Sequence, residues 1–180
     1  MSDEKTAPLK KHNETLNEFS KHNLQEAILI LMKDKPFEKI TITELCKKAG
    51  VSRMAFYKNY HDTEELLMDI FVDANTTMIE KIGSPFRPTT GYEWFYQMFC
   101  VVEYYYDMLV TLFKAGFKYK YLEVINELVL HNPDAPNKDK YKRLIWTGGV
   151  VNMIINWVDN GMNESKEKMA EYANEYTKPI

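Results

Sequence analysis

The sequence predicts an all-α fold on three observations. Apolar residues recur at the i, i+3, i+4, i+7 spacing that lines one side of a helix, as in Leu24, Ala27, Ile28 and Leu31. Two capping boxes, Thr41-Ile42-Thr43-Glu44 and Asp62-Thr63-Glu64-Glu65, mark helix starts, and Gly50, Gly116 and Gly161 mark boundaries. No apolar–polar alternation runs long enough to make a strand, and no segment repeats.

In order along the chain, residues 1–19 read as a polar, flexible arm. A helix begins at Ser20, which can cap it, and ends before Pro36, because proline disfavours helix in the residue preceding it. The Thr41 box opens a second helix, Ile42 to about Ala49, that buries Leu45 and Ala49. Gly50 supplies the backbone freedom for a sharp turn, and Ser52 caps a third helix running to about Tyr60. The Asp62 box opens a long fourth helix reaching about Ile82. Its stronger apolar stripe is Leu67, Phe71, Ala74 and Met78, beside a weaker one of Leu66, Ile70, Asp73 and Thr77.

The Gly83–Pro88 stretch is the clearest break. Beyond it, eight of the fifteen residues from Tyr92 to Tyr106 are aromatic, so a helix there is buried on most sides or lines a cavity. A further helix over Tyr119–His131 carries Leu122, Ile125 and Val129 as a face, and Asn132–Lys138 is a loop. The Asp139–Asn160 helix is apolar all round from Leu144 to Val158, so one face packs on the chain's own core and the other needs a second partner. A last amphipathic helix from about Asn163 puts Met169, Tyr172 and Tyr176 on one side.

A length of 180 residues fits one large domain or a small one plus a medium one, and 45% hydrophobic and 13% aromatic residues supply ample core. The net charge of −3 is unevenly spread. Residues 1–62 hold eleven Lys or Arg against nine Asp or Glu, whereas residues 63–180 hold twelve against seventeen. Between Lys47 and His61 there are four basic residues and no acid, and such a local patch attracts phosphate whatever the overall pI. Cys46 and Cys100 make no disulfide framework and read as two small buried apolar residues. The first residues lack the apolar run of a signal peptide, and no segment is long and apolar enough to span a membrane, so a cytoplasmic protein is expected.

Function concentrates in Ile40–Leu66. The third helix places Val51, Phe56 and Tyr60 on its inner side and Arg53, Met54, Tyr57 and Lys58 on its outer side. That face suits the DNA major groove. Arg53 can fork onto guanine O6 and N7, Lys58 can reach guanine or phosphate, and Met54 and Ala55 can press on a thymine methyl. The hydroxyls of Thr41, Thr43, Ser52 and Tyr57 suit phosphate oxygens, which set register rather than sequence. Asn59, Tyr60 and His61 complete the candidate DNA-binding set. In the arm, Lys5, Lys10 and Lys11 either touch DNA backbone or are simply solvated.

The segments TITEL, AGVSR, MAFYKNY and HDTEEL, within about Ser20 to Phe71, resemble the N-terminal domain of the TetR family of transcriptional regulators. More loosely, WTGGVVNMIINWVDNGM resembles the penultimate helix of some members, which serves in dimerisation. The resemblance implies a three-helix helix–turn–helix head, residues 20–62, joined by a long fourth helix to a helical effector-binding and dimerisation body, residues 63–180. It implies no enzymatic activity and no cofactor. Two positions depart from the family pattern. Thr63 stands where lysine is frequent, which leaves a phosphate contact to His61 or to the N–H groups opening the fourth helix. Tyr60 stands where phenylalanine is usual, its hydroxyl reaching a phosphate or solvent.

The aromatic segment is either packed core or the wall of an effector pocket. The resemblance favours a pocket, with Phe95, Met98, Phe99, Glu103, Met108, Phe113, Phe117 and Trp146 as candidates and Asp107 and Asn126 as further polar anchors. Gly148 and Gly149 inside an apolar helix cost about 1 kcal/mol each against alanine, a cost that close helix–helix approach at a two-fold interface offsets. The candidate dimer residues are Gly148, Val151, Ile155, Val158, Met169 and Tyr172. His12, His22, His61 and His131 lack metal-ligand spacing, and no phosphate loop, nucleophile elbow or paired-carboxylate motif is present. The expectation is a homodimeric repressor that binds a palindromic double-stranded DNA operator and is released by a small hydrophobic effector. The alternatives are a DNA-binding regulator controlled by a protein partner, and a helical interaction module without DNA binding.

Overall fold

The computed structural model describes residues 6–86, 91–130 and 139–177, with 6–14 described by backbone alone. Among the described residues it holds nine α-helices, one 3₁₀ turn at Phe37–Lys39 and no strand. The helices are α1 Thr6–Asp34, α2 Ile42–Ala49, α3 Arg53–Asn59, α4 Thr63–Ile82, α5 Tyr92–Tyr104, α6 Tyr106–Lys114, α7 Lys118–Leu130, α8 Lys140–Asp159 and α9 Lys166–Tyr176. None is long and apolar enough to cross a membrane. Lys5, Arg87, Pro88, His131 and the Asn132–Lys138 loop lie outside the described residues, as do the side chains of Lys10, Lys11 and His12. The chain divides into two units, Met1–Ile70 and Phe71–Ile180, and the division falls within α4.

In the first unit α1 packs on α2 and α3, and α2 on α3. The predicted stripe Leu24, Ala27, Ile28 and Leu31 is buried, and it meets Leu45, Cys46 and Ala49 of α2, Phe56 of α3, and Leu66 and Leu67 of α4 in one core. Full burial of a Leu or Phe side chain contributes about 1.5–3 kcal/mol, so this short stripe holds three small helices together. The first helix differs from expectation at its start. It begins at Thr6, and Ser20 sits mid-helix with its hydroxyl donating to the Leu16 carbonyl at 2.8 Å. The periodic apolar face starts near Ser20, but helix continues upstream of it.

In the second unit α5 packs on α9, α7 on α8, and α6 on α8. The α5–α9 approach is made by small residues: Ala170 and Ala173 of α9 are fully buried beside Met169. Thus α9 buries Met169, Ala170 and Ala173, while Tyr176 of the expected face is exposed. Phe99 packs edge-on against Trp157 at 5.2 Å between ring centroids. In α7 the buried residues are Tyr121 and Val124; Leu122, Ile125 and Val129 are half-buried. The aromatic segment is interrupted at Tyr105, which closes α5 with its N–H on the Val101 carbonyl and opens α6. Gly116 (φ 91°) and Gly161 (φ 71°) adopt the left-handed conformation expected after α6 and α8.

Candidate nucleic-acid interface

The α2–turn–α3 unit is built by caps. The Thr41 hydroxyl oxygen accepts the Glu44 N–H at 3.3 Å, and the Glu44 carboxylate pairs with Lys35. At the other end of α2, Gly50 (φ 68°) donates its N–H to the Lys47 carbonyl at 3.4 Å while Val51 donates to Cys46 at 3.0 Å. This is the left-handed glycine stop called the Schellman motif, which satisfies two orphan carbonyls and reverses the chain. Ser52 then accepts the Ala55 N–H at 3.0 Å and starts α3. Burial pushes the Cys46 thiol pKa up, with nearby Arg53 pulling the other way, in keeping with its role as a small core residue.

Phe56 is the anchor of α3, fully buried, with Tyr60 beside it at 5.9 Å between ring centroids. Opposite them Arg53, Met54, Tyr57 and Lys58 are exposed, Met54 to 79%. The Arg53 guanidinium lies 5.9 Å from the Tyr57 ring centroid, which gives the long side chain a preferred direction across the exposed face. Thr41, Thr43 and Ser52 are exposed, and the capping hydroxyls of Thr41 and Ser52, which accept through oxygen, keep a proton to donate to a phosphate. Lys47 and Lys48 are exposed at the end of α2.

Two predicted DNA contacts, Tyr60 and Asn59, have side-chain groups engaged within the head. Tyr60 is 3% exposed and its hydroxyl donates to Asp69 at 2.6 Å, so it reaches neither phosphate nor solvent. Half-buried Asn59 turns its amide back onto the Ala55 carbonyl at 2.9 Å. At the start of α4 the His61 N–H is taken by the Glu65 carboxylate at 2.6 Å and the Glu65 N–H by Asp62 at 2.9 Å. Two carboxylates thus occupy the helix N-terminus that was expected to substitute for the missing lysine, and they oppose an incoming phosphate there. The His61 side chain and half-buried Thr63 are the remaining polar groups of that corner.

The second unit holds a partly open cavity of about 70 Å³. Asn75, Met78 and Ile79 of α4 form one wall, Trp94, Met98 and Val102 of α5 a second, and Tyr121, Ile125 and Val129 of α7 a third. The fourth comes from α8, with Trp146, Thr147, Val150 and Ile154. Of the predicted pocket residues, Met98 and Trp146 line it; Met108 lines a smaller neighbouring depression of about 20 Å³. Phe95 is buried against Trp94 and Trp146, Phe99 against Trp157 and Phe113 against Tyr121, and Phe117 is buried too. These four are core. Glu103 is exposed and pairs with Lys166 at 2.7 Å, and Asp107 is exposed as well. Asn126 lies outside the cavity wall.

The aromatic count concealed the polar members of the wall. Asn75 donates to the Phe71 carbonyl at 2.8 Å, and burial pushes the Tyr121 hydroxyl pKa well up against a smaller opposing pull from the Asn75 amide. Thr147 is 0% exposed and its hydroxyl has no hydrogen-bond partner among the described residues. A buried polar group left so costs on the order of 1–3 kcal/mol. The signal that could have found Thr147 is a lone hydroxyl amid the apolar positions of α8, three residues before Val150 and seven before Ile154.

The predicted dimer set also divides. Val151, Val158 and Met169 are buried inside their own unit, whereas Gly148, Ile155 and Tyr172 are partly exposed. The outward stripe of α8 is instead Tyr141, Ile145, Gly149, Asn152 and Asn156, with Ile145 78% exposed. A Cβ added at Gly148 or Gly149 would meet nothing within 4 Å. Nothing among the described residues therefore requires glycine at either position.

Residues 90–179 match a TetR family described as "Transcriptional regulator C-terminal region". No curated protein matches the chain. Among solved structures, a TetR transcriptional regulator from Streptococcus agalactiae 2603V superposes with a TM-score of 0.62 at 16% identity, covering 94% of this chain and 99% of that one. The dihydroxyacetone kinase operon activator DhaS superposes with a TM-score of 0.57 at 15% identity, covering 88% and 93%. At these identities the structural likeness speaks for the fold.

Proposed function

The chain belongs to the TetR family of transcriptional regulators, and from that premise we propose that it is a homodimeric repressor whose operator is released when a small hydrophobic effector enters the body. The head comprises residues 20–62 and the body residues 63–180. The observation that carries the DNA-binding part is the exposed, acid-free face of α3 beside Lys47 and Lys48, delivered by a capped turn. In this reading Arg53 reads guanine, Met54 and Ala55 meet thymine methyls, Tyr57 and Lys58 reach the groove edge, and Thr41, Thr43 and Ser52 hold phosphates. A palindromic operator follows from a two-fold dimer, which spaces its recognition helices by about 34–36 Å or a multiple. The α8 stripe around Ile145 and Gly149 supports that dimer, because two costly glycines leave room that none of the described residues fills. The cavity supports a small molecule over a protein partner as the effector. Release requires the effector to favour a conformation in which the heads are wrongly spaced.

The test is selection of bound duplexes from random DNA, followed by gel shifts. Arg53→Ala should weaken the selected site by about 1–3 kcal/mol and relax one base position. Unchanged affinity would remove α3 as the reading element. A reporter placed behind the selected operator reads the sign of control: expression that falls on deletion of the regulator makes it an activator, as DhaS is of the dihydroxyacetone kinase operon.

A further inference from the structure

We infer that the body cavity takes an uncharged, mostly apolar molecule carrying a single hydrogen-bonding oxygen, and that the hydroxyl of Thr147 is the group that recognises it. The inference rests on the effector reading above and names its ligand class. Helical threonines ordinarily satisfy their hydroxyl on the carbonyl four residues back. Thr111 does so onto Asp107 at 2.7 Å, and Thr177 onto Ala173. Thr147 does not: its hydroxyl, fully buried and without a partner among the described residues, belongs to the cavity wall. A hydroxyl both donates and accepts, so an alcohol, phenol or ketone oxygen satisfies it.

The remaining wall sets the rest of the molecule. Trp94, Trp146, Met98 and Ile154 offer flat and aliphatic surface, and no residue of the wall carries a formal charge. Of the other wall polar groups, the Trp94 indole N–H donates to the Gly83 carbonyl at 2.9 Å, the Asn75 amide to Phe71, and the Tyr121 hydroxyl meets the Asn75 side chain. A carboxylate or ammonium would enter such a site without a counter-charge and pay its full desolvation. The Thr147 hydroxyl, the buried wall group left without a partner among the described residues, therefore specifies a hydrogen-bonding oxygen on the ligand.

The test compares three probes of one size, 2-phenylethanol, ethylbenzene and phenylacetate, by calorimetry on the full-length protein. The alcohol should bind about tenfold more tightly than the hydrocarbon, with phenylacetate weakest. Thr147→Val, which keeps the shape, should erase the preference for the alcohol while retaining ethylbenzene binding, and Thr147→Ser should restore it. Equal affinity for alcohol and hydrocarbon, an unchanged preference in Thr147→Val, tightest binding of phenylacetate, or no binding of any probe would each overturn the inference. Operator release is measured separately by fluorescence anisotropy of labelled DNA. Thr147-dependent binding without release leaves the ligand class standing and sinks the effector reading. Release by a probe whose binding ignores Thr147 does the reverse.

Discussion

Beside the buried Phe56, the C-terminal end of the candidate recognition helix α3 is tied back by a carboxylate oxygen, and removing its partners one at a time should show a coupled network. Oδ2 of Asp69 on α4 accepts the Tyr60 hydroxyl at 2.6 Å, the Lys21 ammonium at 3.2 Å and the Gln25 amide at 3.4 Å. It thereby ties α1, the C-terminal cap of α3 and α4 together. An O–H to carboxylate bond of this length is in the charge-assisted class, worth about 1.5–3 kcal/mol. The Lys21 and Asp69 side chains are 32% and 23% exposed, so solvent screening leaves their ion pair no more than about 1 kcal/mol. Tyr60→Phe should therefore cost about 1.5–2 kcal/mol, since it removes the strong bond and leaves the ion pair. For a chain of this length that lowers Tm by roughly 3–8 °C. Asp69→Asn should cost at least as much. The assay is a double-mutant cycle in urea, reading the midpoint of the transition that includes the first unit, with operator affinity measured alongside. Because Tyr60 caps α3, both variants should weaken DNA binding although neither residue lies on the exposed face. A coupling energy under about 0.3 kcal/mol would mean the two residues act independently, and the latch would be refuted.

Other perturbations test other links. Gly50→Ala places a Cβ on a left-handed residue and should cost about 1–2 kcal/mol of stability by thermal melting; no loss would contradict the Schellman turn. Gly149→Leu should raise helix propensity by somewhat under 1 kcal/mol yet dissociate the dimer in sedimentation velocity, and a dimer that survives it would place the interface elsewhere. Lys47→Ala should lower the slope of log K against log salt by about 1 without altering base preference, whereas an unchanged slope would remove Lys47 from the phosphate contacts. The Tyr121 hydroxyl has its pKa raised by burial, so the folded state holds that proton more tightly than the unfolded chain. Its stabilising effect is complete below the unfolded value, about 10, and is lost as pH rises above it. Tyr121→Phe should flatten the fall in denaturation midpoint above pH 10, and an equally steep fall in the variant would show that Tyr121 does not cause it.

The head was legible because each of its signals is local. A threonine three residues before Glu44, a glycine at the end of α2 and a serine three before Ala55 specify caps that need no distant partner. The apolar stripe from Leu24 to Leu31 then has one place to go. One misjudgement there depended on long-range pairing. The Tyr60 hydroxyl is nine residues from Asp69 and reaches it only once α3 has turned back on α4, so counting along the sequence left its partner open. The opening of α4 is a different error: its Asp62–Glu65 capping box is local and already places carboxylates on the N–H groups expected to serve phosphate.

The body resisted for a different physical reason. Packed core and cavity wall draw on the same residue types, so the density of aromatics in residues 92–106 could not separate Phe95 and Phe99, which are buried in the core, from Trp94 and Met98, which border open space. On α8 the difficulty is sharper, since apolar residues occur all round the helix and periodicity identifies no single inward side. Val151 and Val158 look as suited to a partner as Ile145 does, until the packing of α6 and α7 buries the first two and leaves the third outside. The residues that resolve such a helix are the ones that break its uniformity. Thr147 marks the inward face by burying a hydroxyl where an apolar group would have been cheaper, and Gly149 marks the outward face by omitting a side chain where there was room for one. Each sacrifices stability in the isolated chain. Polar or glycine exceptions in an all-apolar helix, rather than its apolar majority, are therefore the positions at which a ligand or a second subunit should be sought.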